Sequence, residues 1–256
     1  MALTSKRAAF FDVDNTLVRG SSLYFLGRGM YQRGFFTKAD ITRFVVANLR
    51  FRLTGTEKKE EIEKFQNAAT SFVSGHKIEE ILKLGEEIYD EFVSPKLWQG
   101  TCSIANSHMD RGEEVWLVTA APQDLANIIA QRLGLTGALG SKVVSKDGVY
   151  TGQLDGKLLH GSEKAVAITA LAKEHGFVLE ECFAYSDSHN DLPLLMAVGN
   201  PSAINPDAIL RIRALAEGWP IHDFRRARFL NRLIGPAVSR VAALGAFLAP
   251  RGRRRK

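Results

Sequence analysis

The segment "AAFFDVDNTLVRGSS", residues 8–22, decides the fold of this chain. It opens with four apolar residues, passes directly to Asp12 and Asp14, and turns apolar again at Leu17 and Val18. Two carboxylates at positions i and i+2 repel each other unless a cation lies between them. The pattern therefore predicts a short buried strand ending in an acidic loop, and the rest of the chain must supply partners for the two acids.

Three interpretations of this loop are open from these residues alone. A calcium-binding loop also begins with Asp-x-Asp, but here Leu17 replaces the turn glycine and Leu23 the closing glutamate. A solvated turn is common after a strand. The third interpretation is a metal-assisted active site at the carboxyl end of a parallel strand, where open α/β sheets bind their ligands.

Composition places the chain among globular proteins. Its 256 residues suffice for one large domain, or for a core domain with an insertion, and 45% of them are hydrophobic. Cys102 and Cys182 lie far apart and form no CxxC pair, so reduced, buried structural cysteines are expected. No signal peptide and no run of 18 uncharged apolar residues occur, which favours a cytoplasmic protein without a transmembrane helix.

The net charge of +6 is unevenly distributed. Ten of the 34 lysines and arginines lie in residues 225–256, where no acid occurs, so the remaining chain has 24 basic against 28 acidic residues. The body is mildly acidic and the tail strongly basic. This uneven distribution of charge indicates a binding partner for the tail and says nothing about the chemistry of the body.

Short apolar runs alternate with helical periodicity through most of the chain. Strands are predicted at residues 8–11, 115–118 and 182–185, and helices at 123–133 and 162–175. This alternation predicts βαβ units and a parallel sheet covered on both faces. The segment "SKVVSKDGVYTGQL", residues 141–154, instead predicts a β-hairpin around its Lys-Asp-Gly turn.

Between residues 21 and 95 the pattern is helical throughout. The amphipathic segments "ADITRFVVANLRFRL", "KKEEIEKFQNAATSFV" and "KIEEILKLGEEIYDEFV" contain no strand signal. A helical block placed directly after the acidic strand is positioned to cover the site as a lid, or serves only to bury surface.

Further polar residues follow the later strands. Thr119 stands at the end of the second strand, Lys164 at the start of a helix, and Asp187 and Asp191 flank a polar turn after the third strand. The carboxyl ends of parallel strands lie at one edge of a sheet, so these acids can converge with the first pair. Gathered carboxylates require a counter-charge, and Mg²⁺ with a phosphate substrate is a common solution.

The four motifs, in this order from about residue 8 to residue 205, resemble those of the haloacid dehalogenase-like (HAD) phosphatases, especially the phosphoserine-phosphatase-like branch with a helical cap. The resemblance implies an α/β fold, a Rossmann-like three-layer α/β/α sandwich with a mainly parallel sheet and an inserted α-helical cap. The expected division is a core of residues 1–20 and 96–224, a cap of residues 21–95, and a basic amphipathic tail of residues 225–256.

The same resemblance implies a mechanism. Asp12 would be the nucleophile that forms an aspartyl-phosphate, and Asp14 the general acid and base. Thr119 and Lys164 would hold the phosphoryl oxygens. Mg²⁺ would be bound by Asp12, the backbone carbonyl of Asp14, and Asp187, with Asp191 in support. The presence of Asp14 favours phosphoryl transfer over dehalogenation.

The resemblance weakens at the positions that would set the substrate. Ser21 stands where the branch has a glutamate for the substrate ammonium, Ala120-Ala121-Pro122 replaces a glycine-rich turn, and Ser186 and Ser188 replace glycines around Asp187. The expected function is Mg²⁺-dependent hydrolysis of a small-molecule or lipid phosphomonoester. The alternatives are a phosphoserine phosphatase proper, a phosphotransferase, and a non-catalytic protein that binds a membrane surface or nucleic acid.

The tail leaves three interpretations open. It places basic residues on both sides of a mostly apolar segment that contains Pro236 and Arg240. It can lie on the anionic inner face of a membrane, pack on the protein itself, or bind nucleic acid through phosphates. The last is the weakest, since no stacking aromatics accompany the basic run. The oligomeric state cannot be derived from the sequence.

Overall fold

The computed structural model describes residues 6–35 and 73–225. Elements are numbered here in chain order within these two ranges. Most of the predicted cap interior and the tail after Arg225 lie outside them, so the helix predicted at residues 39–53 is not described, and of the one predicted at 58–73 only the last residue is. The proposed domain boundaries stay a prediction.

A six-stranded sheet forms the centre of the described chain. Its strands are β1 (Ala8–Phe11), β2 (Glu114–Pro122), β3 (Gly137–Ser141), β6 (Phe183–Ser186), β7 (Asn200–Ile204) and β8 (Ile221–His222). They lie in the order β3-β2-β1-β6-β7-β8, and every neighbouring pair is parallel. The predicted α/β architecture is therefore confirmed.

Strand β1 lies at the middle of the sheet and is buried on both faces. Its side chains alternate, so Ala9 and Phe11 join one hydrophobic core while Ala8 and Phe10 join the other. This explains why the strand is a continuous apolar run rather than an alternating one.

Helices cover the two faces of the sheet, which gives the predicted three layers. These helices are α3 (Gln99–Asp110), α4 (Gln123–Arg132), α5 (Ser162–His175), α6 (Leu192–Met196) and α7 (Ala208–Glu217). Buried residues of α3 and α4 belong to the core on one face, and those of α5, α6 and α7 to the core on the other. Helix α5 begins and ends where the periodicity predicted, and Gly176, with φ +74°, ends it in the left-handed region.

The predicted hairpin is present as β4 (Val143–Lys146) and β5 (Val149–Leu154), which pair antiparallel. It also contacts the end of the inserted segment. The backbone N–H of Gly75 donates to Tyr150 O, and that of Ile78 to Gly148 O. The hairpin thus serves as a support for the chain where it returns from the insertion.

Two helices from the ends of the insertion are described, α1 (Ser22–Gln32) and α2 (Ile78–Ile88), and a π-helical turn, Tyr89–Val93, continues α2. The third predicted amphipathic segment is therefore helical, as expected. Arg132 of α4 forms ion pairs with Glu86 and Asp90. These contacts join the inserted segment to the core beside the sheet.

Cys102 is half-buried and Cys182 fully buried, and both are free thiols. Burial was predicted for both cysteines and holds for Cys182, whereas Cys102, on α3, is only partly buried. Within the described ranges, no helix has the length and apolar character required to cross a bilayer.

Candidate active site

A cleft of about 220 Å³ opens at the carboxyl edge of the sheet, after the ends of β1 and β6 and beside Thr119 and Ala120 of β2. All six side chains that the sequence analysis selected line it, although they come from widely separated parts of the chain. The polar and charged side chains of this cleft are Asp12, Asp14, Asn15, Thr119, His160, Lys164, Asp187, Ser188, Asn190 and Asp191.

Asp12 follows β1 directly and is 5% exposed. Its backbone N–H donates to Tyr185 O at 2.9 Å, which continues the β1–β6 ladder by one residue. Oδ1 accepts from Lys164 Nζ at 2.6 Å and Oδ2 accepts from Thr16 Oγ1 at 3.0 Å. Burial raises the pKa of Asp12 to about 6, although Lys164 opposes the shift. The carboxylate is therefore held in one orientation by two donors.

Lys164 is the third residue of α5 and is 3% exposed. Its ammonium donates to Asp12 Oδ1 at 2.6 Å and to Asp191 Oδ2 at 2.7 Å. Burial alone would lower the pKa of Lys164, but the two carboxylates outweigh it and raise the pKa above its usual range. The cation that the acidic loop requires is thus supplied, in part, by this side chain.

Asp14, two residues after Asp12, is partly buried. Its Oδ1 accepts the backbone N–H of Ser22 at 2.8 Å. Ser22 is the first residue of α1, so the carboxylate sits at a helix N-terminus, where a negative charge is favoured. The inserted segment therefore holds the carboxylate of Asp14.

Thr119 is 2% exposed, and its Oγ1 accepts the backbone N–H of Ala121 at 3.2 Å. The sequence analysis placed this residue at the end of β2, which is wrong. The strand continues to Pro122, because its pairing with β3 resumes after a register shift between Val118 and Pro122. Thr119 and Ala120 line the cleft, and the hydroxyl of Thr119, which accepts from Ala121, can still donate its proton to a ligand.

Asp187 and Asp191 follow β6. Burial raises the pKa of Asp187 to about 8, and the charges of Asp12 and Asp191 add to the shift. Asp191 is 2% exposed and accepts from Ser186 Oγ at 2.7 Å as well as from Lys164. Negative charge near Asp187 therefore exceeds what Lys164 neutralises.

The donor set fits a hard cation in its chemistry, since four carboxylates line the cleft and a single lysine opposes their charge. Within the described residues, however, no group of three or more His, Cys, Asp or Glu side chains is arranged to hold a metal ion. Asp12 and Asp191 instead share the ammonium of Lys164. A cation there would use Asp12 and Asp187 together with a backbone carbonyl.

The structure adds residues to which the sequence analysis assigned no role. Thr16 and Ser186 donate to Asp12 and Asp191 from the same turns that carry these acids. Each hydroxyl lies within five positions of the acid that it contacts, and this proximity is the sequence signal that could have identified both residues. His160, although exposed on one side, also lines the cleft, and desolvation together with the charge of Lys164 lowers its pKa. No local pattern distinguishes it from a surface histidine.

A sequence profile described as haloacid dehalogenase-like hydrolase matches residues 9–196, which span every site motif. The chain belongs to the haloacid dehalogenase-like hydrolases. The family resemblance found in the motifs is therefore confirmed, and the chain is an enzyme of the hydrolase class.

Two relatives of this HAD chain illustrate the range of sequence identity and of the substrates in their names. "Phosphoserine phosphatase SerB1" of Mycobacterium tuberculosis is 48% identical over 249 residues, covering 97% of this chain and 81% of the relative. A protein named histidinol-phosphatase, from Neisseria meningitidis, is 27% identical over 224 residues, covering 86% of this chain and 100% of the relative.

Solved structures agree on the fold. A protein of unknown function from Bordetella pertussis superposes with a TM-score of 0.77 at 28% identity, covering 86% of this chain and 100% of that one. A phosphoserine phosphatase bearing a phospho-aspartyl intermediate analogue superposes with a TM-score of 0.59 at 22% identity, covering 87% of this chain and 97% of that one. The second likeness concerns the fold alone.

Proposed function

We propose that this HAD hydrolase cleaves a small phosphomonoester with the help of Mg²⁺, through a phosphoryl group carried transiently on Asp12. The observation that carries the proposal is the position of Asp12, with one carboxylate oxygen on Lys164 and the other on Thr16, in the cleft that also contains Asp14. The enzyme is a phosphatase, as its family and its relatives indicate. The metal, the intermediate and the substrate are the proposed parts.

In the first step, a carboxylate oxygen of Asp12 attacks phosphorus, and the bond from phosphorus to the ester oxygen breaks. Asp14, protonated at the start, gives its proton to the departing alkoxide. Lys164 keeps Asp12 ionised, because the ammonium favours the charged form of the buried carboxylate. The hydroxyl of Thr119 can donate to a phosphoryl oxygen.

In the second step, water attacks phosphorus and the bond to Asp12 breaks. Asp14, now a carboxylate, takes the proton of the attacking water and regains its starting state. Inorganic phosphate leaves, and atoms and charge balance over the cycle. The N–H of Ser22 holds Asp14 in place through both steps.

A divalent cation would be held by the carboxylates of Asp12 and Asp187 and by the backbone carbonyl of Asp14, with Asp191 supporting. When bound, it supplies positive charge that lets an anionic carboxylate approach an anionic phosphate. The raised pKa of Asp187 supports this proposal, because an acid left without enough counter-charge is a favourable place for a cation.

The leaving group is proposed as a class, an alcohol small enough for the cleft. Phosphoserine is one candidate, because a relative with 48% identity bears that substrate in its name, while another relative is named for histidinol phosphate. Ser21, where an acid for the substrate ammonium was sought, accepts the N–H of Tyr24 at 3.4 Å and caps α1. An uncharged capping residue there supports a broader choice of leaving group.

The experiment that tests the proposal measures phosphate release from a panel of amino-acid, amino-alcohol and lysolipid phosphates, with Mg²⁺ and with EDTA. Release that requires Mg²⁺ and disappears in Asp12→Asn supports it. Asp155→Asn, an exposed acid after the hairpin, is the matched control and should keep the native rate. Release in Asp12→Asn near the native rate would contradict the nucleophile, and phosphate retained on a second alcohol would indicate a phosphotransferase.

Peripheral contact of the basic tail with an anionic membrane, in the cytoplasm, stays a prediction, since residues 226–256 lie outside the described residues. Liposome sedimentation of the full chain, compared with a variant in which the tail arginines are glutamines, tests it. Equal pelleting of the two with anionic vesicles would remove the prediction.

A further inference from the structure

Asn205 follows β7 and is 3% exposed, although it belongs to none of the four motifs. Its backbone lies in the left-handed region, with φ +47°. Asparagine is one of the few side-chain-bearing residues that adopt this conformation at moderate cost. A buried polar side chain in an uncommon backbone conformation persists only where its surroundings compensate it.

Each polar group on the side chain of Asn205 is used. Oδ1 accepts the backbone N–H of Phe224 at 2.8 Å, and Nδ2 donates to the backbone carbonyl of Asn15 at 3.3 Å. Its backbone N–H also donates to His222 O at 2.8 Å. The residue therefore joins the segment 221–225 to the loop that carries the two catalytic acids, at the residue directly after Asp14.

The carbonyl that Asn205 holds belongs to the Asn15–Thr16 peptide. Thr16 in turn donates its hydroxyl to Asp12 Oδ2 at 3.0 Å. A movement of this peptide changes the position of the hydroxyl and with it the orientation of the nucleophile. Asn205 thus acts on Asp12 through one peptide and one side chain.

A second contact, from helix α3, supports the next peptide of the loop. Thr101 donates to the carbonyl of Thr16 at 2.8 Å. Its neighbour Gly100 packs so closely under Phe224 that an added Cβ would lie 2.2 Å from the nearest ring atom. Phe224 therefore touches both supports of the loop, with its N–H on Asn205 and its ring on the start of α3.

We infer that Asn205, locked by Phe224, is a positioning residue that holds the Asn15–Thr16 peptide so that Thr16 orients Asp12. The inference rests on the proposed function for its kinetic consequence, but its structural part stands independently. Phe224, which follows β8 by two residues, thereby belongs to the active-site support.

The test compares Asn205→Asp with Asn200→Asp. The first variant keeps an acceptor for the N–H of Phe224 and tolerates the backbone conformation, but it replaces the donor to Asn15 by a repelling oxygen. The second removes a comparable donor, to Cys182 O at 3.2 Å, at the opposite end of the same strand. We expect Asn205→Asp to lower kcat about tenfold with KM within about twofold, and Asn200→Asp to leave both unchanged.

Hydrogen exchange provides a readout that does not need activity. Peptides covering residues 12–20 should exchange faster in Asn205→Asp than in the parent chain, and at the parent rate in Asn200→Asp. If the parent chain hydrolyses no phosphomonoester, the proposed function fails, and this comparison still decides whether Asn205 holds the loop. Unchanged exchange in Asn205→Asp would overturn the inference, as would a kcat equal to that of Asn200→Asp in an active enzyme.

Gly100→Ala tests the same support without altering Asn205, because the new methyl group displaces the ring of Phe224. Gly27→Ala is its control, since nothing lies within 4 Å of a Cβ there. We expect Gly100→Ala to accelerate hydrogen exchange in residues 12–20 and to lower kcat, as Asn205→Asp does. Equal exchange and equal rates in the two glycine variants would refute the role of Phe224.

Discussion

Replacement of Lys164 by methionine should destabilise the protein far more than loss of an ordinary surface ion pair. The ammonium is 3% exposed and lies 2.6 Å from Asp12 and 2.7 Å from Asp191, so its removal leaves two buried acids facing each other. Methionine keeps most of the apolar stem and its packing. The loss of stability in this variant therefore reports the removal of the charge rather than the removal of packing.

Its magnitude follows from the burial of the partners. Breaking a buried pair by removing one member costs ~3–5 kcal/mol, because the other charge stays uncompensated. Asp12 already has a pKa of about 6 and can escape part of the cost by taking up a proton. We therefore expect a loss near the lower end, ~3 kcal/mol, and a fall of ~10 °C in the melting midpoint for a chain of this size.

The assay is urea and thermal unfolding at pH 7 with EDTA, so that no added cation replaces the ammonium. Lys157→Met is the matched control, because Lys157 pairs with Glu163 at 2.6 Å but has a side chain that is 74% exposed. Such a pair contributes less than ~1 kcal/mol. Adding Asp191→Asn to Lys164→Met should recover part of the loss. A Lys164→Met variant no less stable than Lys157→Met would refute the reasoning.

Three further outcomes are expected. Asp12→Asn should lose phosphate release while keeping the native far-ultraviolet circular dichroism, because the nucleophile is removed and its shape retained; turnover close to the parent rate would contradict this. A hydrogen bond from Arg225 holds the pKa of Asp223 at about 2, below its usual 3.8, so this carboxylate stabilises the fold above pH 3.8 and the contribution disappears as the pH falls toward 2. Acid unfolding should therefore cost the parent more stability over that interval than it costs Asp223→Asn, and parallel titration curves would count against the pair. Gly199→Ala should lower the free energy of unfolding by ~3 kcal/mol in urea titrations, because its Cβ would meet Glu180 O at 1.7 Å; unchanged stability would show that the backbone yields there.

Local patterns in the sequence were sufficient for the elements that carry the site. The apolar run of β1, the periodicity of α5 and the turn of the hairpin each depend on neighbours within a few positions, and all three are present. The acids of the site were identified because they follow predicted strands, which is also a local signal, whereas the roles of Thr119 and Lys164 came from the resemblance to the HAD motifs. Their meeting in one cleft follows from the parallel sheet, since parallel strands end at a common edge.

The continuation of β2 past Thr119 could not be predicted from its own residues. "TAAP" has no strand pattern, and the segment is extended because β3 pairs with it after a register shift. Asn205 was missed for a related reason. Its importance depends on Asn15, which is 190 positions away in the sequence, and on Phe224. Phe224 is brought to Asn205 by β8, a strand of only two residues that precedes it.

The amino-acid sequence by itself determined the alternation of strands and helices, the acidic loop after the first strand, and the family. Only the tertiary structure decided which donors hold each acid, how far Lys164 is buried, and which side chain supports the loop from behind. The reason is that hydrophobic periodicity and turn chemistry act over a few residues. A hydrogen bond between positions 12 and 164, or 15 and 205, forms only after folding has overcome the chain entropy that separates them.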